Sequence, residues 1–530
     1  MRSRITSMWR SILIYAGAAV VILMMTFLLF GSAMQGFDHD ENLYCTAGAL
    51  ITSGQVMYKD FAYLQMPLLP VIYAFLFTLF KTTNYLFVGR VFSVTCSVLT
   101  MVLVLIAFIR AFRDQRARGV VLGISATVLY SFNPQILTAG SRAWNHSLPI
   151  LCILLAYLVL ASLDFSKPFK RRALFLAGFL NGIAVFTRIS FALASLAFLL
   201  VMAFLVPISR DIRCKKLLLP FLAGATLPSL VAIYYLFQAP DSFIFDTIQY
   251  FRVTGAQHWF PGWHAAIDFK EKLFMTFTIF THPSYLALLI LFFFSCILAV
   301  STYDRLDRKK IPLVISSSVA MAMIFAAFLV TPMQVQYFAA PVPFFLVTIA
   351  YAVSGNMSTG DKRSRKNIIA HVFAVIIVLS AIAVGLSEKQ TLGNIKIAFS
   401  KENWIPSHVY AISRKIANIA GPDKLILTLA PIFALEGGER IYRELSTGPF
   451  LFRYGPFLSD SQRHDAVSID SRSLPGLLQK KPPDAVLVGF EYIVLEAPLI
   501  EYAELSGWQK KEISNPLTDS FLLYVPAGSN

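Results

Sequence analysis

The chain has 530 residues, 56% of them hydrophobic and only 14% charged, and Phe alone fills 46 positions. So little charge cannot cover a soluble protein of this length, and so much apolar content excludes disorder. The net charge of +16 is localised: residues 1–386 hold 31 Lys+Arg against 14 Asp+Glu, and residues 387–530 hold 15 against 16, so the excess marks positive-inside loops and not a nucleic-acid surface.

Apolar segments run over 11–33, 88–109, 119–139, 148–163, 172–187, 189–208, 217–238, 273–300, 311–330, 335–353 and 368–386. A span needs about 20 such residues, so the pattern predicts an α-helical polytopic membrane protein with about 11–13 transmembrane helices. Segment 64–80 is shorter and carries Pro67 and Pro70. Basic clusters at Arg2/Arg4/Arg10, Arg110–Arg118, Lys167–Arg172, Arg210–Lys216, Arg305–Lys310 and Lys362–Lys366 should all face the cytoplasm. That requires an even number of crossings between clusters, so 64–80 is expected to lie at the outer interface. The N-terminus then lies inside and residues 387–530 outside. The opening segment is too long for a cleaved signal peptide and is followed by further spans.

The tail 387–530 reads as a small α/β domain, with strands expected at 424–429, 484–489 and 520–525 and turns at Pro482-Pro483 and Gly437-Gly438. The expected division is therefore 1–386, a membrane domain with a first outer loop at 34–65, and 387–530, an extracytoplasmic domain. Cys45, Cys96, Cys152, Cys214 and Cys296 are scattered singly, which suggests neither a metal site nor a disulfide scaffold.

Acid is rare before residue 387, yet four of its 14 carboxylates fall within 38–60: Asp38, Asp40, Glu41 and Asp60. Carboxylates this close raise one another's pKa, which suits a general base; a solvated juxtamembrane loop is the bland alternative. No Asp or Glu lies within a predicted span, which weighs against an ion-coupled transporter. Arg90 and Arg188 lie at membrane depth, with Arg142 at an outer end. Buried guanidinium groups need an anion or must snorkel, and their planar fork matches phosphate. Two outer loops, 133–146 and 252–264, combine aromatic and polar residues, among them His146, His258 and Trp259. They suit either an interfacial belt or a sugar-binding lip. No phosphate-cradling Gly loop, nucleophile elbow or His-Glu-x-x-His motif is present.

The run Asp40-Glu41-x-x-Tyr44, Gly48, Gly54, Tyr58-x-Asp60-Phe61, Pro67-Leu68 and then Arg90 resembles the first outer loop of GT-C glycosyltransferases, nearest the protein O-mannosyltransferase and aminoarabinose-transferase branch. Gly182-Ile-Ala-x-x-Thr-Arg188 and Tyr337-Phe-x-x-Pro341-x-Pro343 fit the same outline; the tail adds no motif. The resemblance implies a polyprenyl-phosphate sugar donor, inversion at the anomeric carbon, and Asp40 as catalytic base, with Asp38 its competitor and Glu41 orienting the loop. It implies an acceptor that is glycan, lipid or protein. Relatives often carry Lys or His before Pro-Pro, where this chain has Gln65-Met66-Pro67. The donor phosphate must then be met by Arg142, Arg188 or Lys59, or by a divalent cation, which Asp38 and Asp40 could hold. Tyr58, Asp60, Gln65, His146, His258, Trp259 and Tyr337 are the remaining substrate-binding candidates. The short outer loops and the absence of organelle-retention signals point to a bacterial inner membrane, with the tail in the periplasm. The competing expectation is a carrier of polyprenyl-linked glycans that performs no chemistry.

Overall fold

The structure, a computed structural model, describes residues 2–163, 170–205, 213–255, 266–302, 311–357, 365–514 and 521–528. His258 and Trp259 lie outside the described residues. The chain is an α-helical polytopic membrane protein with a small C-terminal α/β domain.

Among the described residues, five helices are long and apolar enough to cross a bilayer: Ile12–Ala33, Tyr85–Ala111, Ile311–Leu329, Val335–Gly355 and Ile368–Ser387. Three predicted segments are bent. The region 119–139 splits at Phe132-Asn133, turning by 70°; 217–238 turns by 45° at Leu227-Pro228; 273–300 turns by 85° at His282-Pro283. In each, a Pro removes an amide from the helical ladder; at Pro134 and Pro283 the preceding Asn133 and His282 are also extended, whereas Leu227 before Pro228 stays helical. Apolar length alone does not register that break.

The first helix, α1 (Arg2–Ala33), leads through a short turn to α2 (His39–Thr52). Next come α3 (Leu68–Phe80), α4 (Tyr85–Ala111), α5 (Arg116–Ser131), α6 (Pro134–Ser141), α7 (Ser147–Ala161) and α8 (Arg171–Thr187). At 13 residues, α3 is only about 20 Å long, too short to cross the bilayer core. It buries Tyr73, Ala74 and Phe77 and leaves Phe75, Leu79 and Phe80 exposed.

The tail forms a five-stranded sheet in the order β2-β1-β3-β5-β4: β1 (Leu425–Leu427), β2 (Arg440–Ile441), β3 (Ala485–Val488), β4 (Gln509–Ile513) and β5 (Phe521–Val525). The β2-β1-β3 part is parallel, with Leu425 opposite Arg440 and Ile426 opposite Ala485; β5 runs antiparallel, with Val486 opposite Tyr524. The parallel core strands are buried along their whole length, as strands covered on both faces are.

One of those covers is the membrane domain. Leu43 and Tyr44 of α2, Tyr63 of the loop after it and Tyr73 of α3 share a single hydrophobic cluster with Val409, Ile426, Phe433 and Phe521 of the tail. Polar contacts reinforce the junction. The Ile432 amide donates to Asn42 Oδ1 (2.9 Å), the Leu86 amide to Glu436 Oε1 (2.8 Å), and the Ile405 amide to the Met34 carbonyl (2.9 Å). The tail is thus built onto the loop that carries the acidic run.

Candidate active site

The acidic run divides into separate jobs once folded. Asp38 is the N-cap of α2: its Oδ1 accepts the Asp40 amide at 2.9 Å, and Glu41 Oε2 accepts the Asp38 amide at 3.3 Å, closing a capping box. Glu41 is fully buried and forms a forked pair with Arg90, Nε to Oε1 at 2.7 Å and Nη2 to Oε2 at 2.5 Å. The Ala143 amide adds a third bond to Glu41 at 2.8 Å. Arg90 spends its other donors on the carbonyls of Ala33 (2.7 Å) and Gly36 (2.6 Å). The anion that a buried Arg90 requires is therefore Glu41, and the pair pins α2 to α4 and to the turn after α1.

Asp40, one residue earlier, is different. It is partly exposed, and among the described residues no group donates a hydrogen bond to its carboxylate. Desolvation, followed by the negative Asp38, pushes its pKa up to about 7; His39, Arg188 and Arg453 act in the opposite sense. A carboxylate near neutrality with free lone pairs is suited to accept a proton. His39 turns away from it, with Nδ1 2.8 Å from Glu491 Oε1 in the tail.

Arg188 follows the last turn of α8 in an extended conformation that stops the helix. Its Nη1 donates to Asn145 Oδ1 at 2.7 Å, and its guanidinium lies 4.4 Å from the Tyr337 ring centre. His146 stacks on the other ring contact of Tyr337, centroids 5.8 Å apart. Asn145 in turn donates to Gln65 Oε1 at 3.3 Å, and Tyr58 donates to the Gln65 carbonyl at 2.6 Å. Five of the expected residues, Tyr58, Gln65, His146, Arg188 and Tyr337, are thus drawn into one network beside Asp40. His146, Arg188 and Tyr337 also line a small crevice together with Met323, Ala326 and Ala327 of the helix Ile311–Leu329.

The others are placed elsewhere. Arg142 uses Nη1 on the carbonyls of Gln35 and Gly36, as a brace for the turn. Lys59 is exposed. Asp60 accepts the Val56 amide at 2.7 Å and stands 3.8 Å from Arg443 of the tail. A divalent cation finds a poor donor set: among the described residues no group of three or more His, Cys, Asp or Glu is gathered. One oxygen of Asp38 holds the helix cap, and Arg188 and Arg453 bring positive charge to Asp40.

Sequence reasoning missed three participants. Asn145 lies in the loop 133–146, between Trp144 and His146. Asp246 is fully buried and accepts the Tyr63 amide at 2.9 Å, bracing the loop between α2 and α3 from a distant helix. Arg453, in the tail helix Pro449–Tyr454, is buried and its charge acts on Asp40; no feature of its neighbourhood in the sequence distinguished it.

No family model matches the chain, and no curated protein matches it in sequence. Solved structures do match. ArnT from Cupriavidus metallidurans, in the apo state and bound to undecaprenyl phosphate, superposes with a TM-score of 0.60 at 12% identity, covering 98% of this chain and 98% of ArnT in both cases. An oligosaccharyltransferase from Archaeoglobus fulgidus gives a TM-score of 0.48 at 11% identity over 97% of this chain and 75% of its own. Over nearly its whole length the chain shares the fold of ArnT, and it is an integral membrane protein.

Proposed function

We propose that the protein is a membrane glycosyltransferase that moves a sugar from a polyprenyl-phosphate donor to an acceptor hydroxyl, with inversion, on the outer face of the membrane. One arrangement carries this reading: Asp40, a carboxylate with raised pKa, feels the charge of Arg188, and Arg188 lines a small, apolar-walled crevice. The likeness in fold to ArnT, a structure of which holds undecaprenyl phosphate, supports the choice of donor.

In this scheme the lipid tail lies along Met323, Ala326 and Ala327, and the phosphate meets Arg188. Tyr337 and Asn145 hold that guanidinium flat and in place, so little reorganisation is needed as charge develops. Asp40 accepts the proton of the acceptor hydroxyl as its oxygen bonds to the anomeric carbon. The bond from that carbon to the phosphate oxygen breaks on the opposite face, and its electron pair leaves with the phosphate. Phosphate is a weak base, so no general acid is required. Guanidinium charge takes the place of a divalent ion. The acceptor is a glycan, a lipid or a protein. The cell context we assign is the bacterial inner membrane, with the N-terminus cytoplasmic and the tail periplasmic.

Purified protein incubated with a panel of polyprenyl-phosphate sugars tests the reading. Loss of one donor, abolished by Asp40→Asn, is the expected result. A carrier would bind such lipids, leave them intact and tolerate the same substitution.

A further inference from the structure

We propose that the tail and the membrane domain together form a site for the headgroup of an anionic phospholipid, in the leaflet that the tail faces. The site is a cavity of about 340 Å³ between α2, the start of α4 and the sheet edge at β2. Small-molecule pockets run to about 300–1,000 Å³. The cavity shares no lining residue with the crevice at Arg188.

Its place in the fold sets it at the bilayer surface. Thr83 and Tyr85 form one wall. Tyr85 is the first residue of the span Tyr85–Ala111, so it stands at the level of the interface, where tyrosine is favoured. Its ring packs on Phe77 of α3, with centroids 4.6 Å apart. That helix buries Phe77 and leaves Phe75, Leu79 and Phe80 exposed. Only Lys81 and Thr82 separate Phe80 from Thr83, a reach of at most about 11 Å. An apolar surface for acyl chains therefore adjoins the cavity.

The facing wall comes from the tail and is basic. Arg440, Arg443 and Lys481 line it, against one carboxylate, Glu439. These groups are not equally available. Arg440 is committed to Asp423, Nε to Oδ1 at 2.8 Å and Nη2 to the carbonyl at 2.9 Å. One oxygen of Glu439 accepts the Lys424 amide. Arg443 stands 3.8 Å from Asp60 with half its side chain exposed, a contact too long and too solvated to occupy a guanidinium. Lys481 lies over the Tyr442 ring at 5.5 Å and, among the described residues, pairs with no carboxylate. Two separate cations are thus left to a ligand. They suit a phosphodiester, whose two unesterified oxygens share one negative charge.

The end of α2 specifies the rest of the headgroup. Gln55 Nε2 donates to Ser53 Oγ at 3.4 Å, while its Oε1 is buried and accepts from no donor among the described residues. A buried polar atom left so calls for a partner, and a hydroxyl on the ligand supplies one. Cations for a phosphodiester, an acceptor for a hydroxyl and an apolar helix beside the opening together match a glycerophospholipid with a hydroxyl-bearing headgroup. Phosphatidylglycerol is the simplest of these. Since the cavity is walled by both domains, its occupant stabilises their junction.

Native mass spectrometry of the full-length protein in detergent tests this, with titrations of phosphatidylglycerol, phosphatidylcholine and glycerol 1-phosphate and thermal unfolding in the same mixtures. We expect wild type to prefer one phosphatidylglycerol over phosphatidylcholine by at least about ten-fold, and to unfold at a higher temperature when it is bound. Arg443→Gln and Lys481→Gln should each weaken that binding about five-fold, the scale of one cation at an anionic bilayer surface, and the double substitution about twenty-fold or more. Ser53→Phe fills the cavity without changing charge and should abolish the preferred binding step. Lys510→Gln, on β4 at the opposite edge of the sheet, should leave it unchanged. All four side chains are exposed, so the fold should survive; if Ser53→Phe does not fold, the charge variants decide. Equal affinity for the two lipids, or wild-type affinity in the double variant, overturns the inference. So does an equal loss in Lys510→Gln, which would mean general attraction to a basic surface. Binding of glycerol 1-phosphate as tight as that of the lipid would make the ligand a soluble phosphate ester and overturn the lipid assignment.

Discussion

Glu41 and Arg90 form a forked, fully buried ion pair between the helix that presents Asp40 and the span that follows it. The pair is satisfied on nearly every side: Glu41 also takes the Ala143 amide, and Arg90 takes the carbonyls of Ala33 and Gly36. Removing one partner strands the other charge, which typically costs about 3–5 kcal/mol. Glu41→Gln and Arg90→Met should each lower the thermal unfolding midpoint in detergent by several degrees and reduce transfer along with folded protein. Unchanged midpoints would mean that the pair does not hold the loop.

The raised pKa of Asp40 makes a signed prediction. A base must be deprotonated, so kcat/KM should rise with pH through about 7. Asp38 pushes that value up through its negative charge. Asp38→Asn keeps a capping side chain at the start of α2 and removes the charge, so the acid limb should shift to lower pH. A pH–rate profile in which it stays, or moves upward, would contradict the assignment.

Close packing of α8 against the helix Leu219–Thr226 depends on two glycines. A Cβ on Gly178 would lie 1.9 Å from the Phe221 carbonyl oxygen, and one on Gly224 would lie 2.0 Å from that of Phe175. Small residues at such a contact let backbones approach within the bilayer. Since α8 delivers Arg188 at its end, Gly178→Val or Gly224→Val should lower both stability and transfer. Gly385→Ala, where a Cβ meets nothing within 4 Å, should do neither. Equal melting curves for all three would refute the packing argument.

Glu436 is buried at the domain junction and its carboxyl is pushed up to about 8, chiefly by desolvation. A carboxyl whose folded pKa exceeds its unfolded value stabilises fully below the unfolded value, near 4.5, and that contribution is lost as pH rises through about 8. Stability should therefore fall between pH 5 and about 8. Glu436→Gln retains an acceptor for the Leu86 amide and should flatten this dependence, raising the midpoint most at alkaline pH. A parallel fall in mutant and wild type would exclude the junction carboxyl as the cause.

The acidic run stood out in the sequence because carboxylates are scarce in a chain this apolar, and Asp38 and Glu41 carried a readable capping spacing that only the fold separates from the role of Asp40. Membrane segments were legible by length. The bends at Pro134, Pro228 and Pro283 were not, because hydropathy counts apolar residues and ignores missing amides. Segment 64–80 was set apart by its two prolines, and it forms a helix too short to span. Arg453 was invisible for a different reason: its charge acts on Asp40 from over 400 positions away, in a segment with no periodicity or charge pattern to mark it. That the core of the tail is continuous with α2 and α3 was unmarked in the sequence for the same reason.

The most direct measurement is single-turnover transfer from a polyprenyl-phosphate sugar by wild-type protein and by Asp40→Asn, both folded and both shown to bind the lipid. Transfer by the first and none by the second, with lipid affinity retained, is the expected outcome. Equal transfer by both would remove Asp40 from the chemistry.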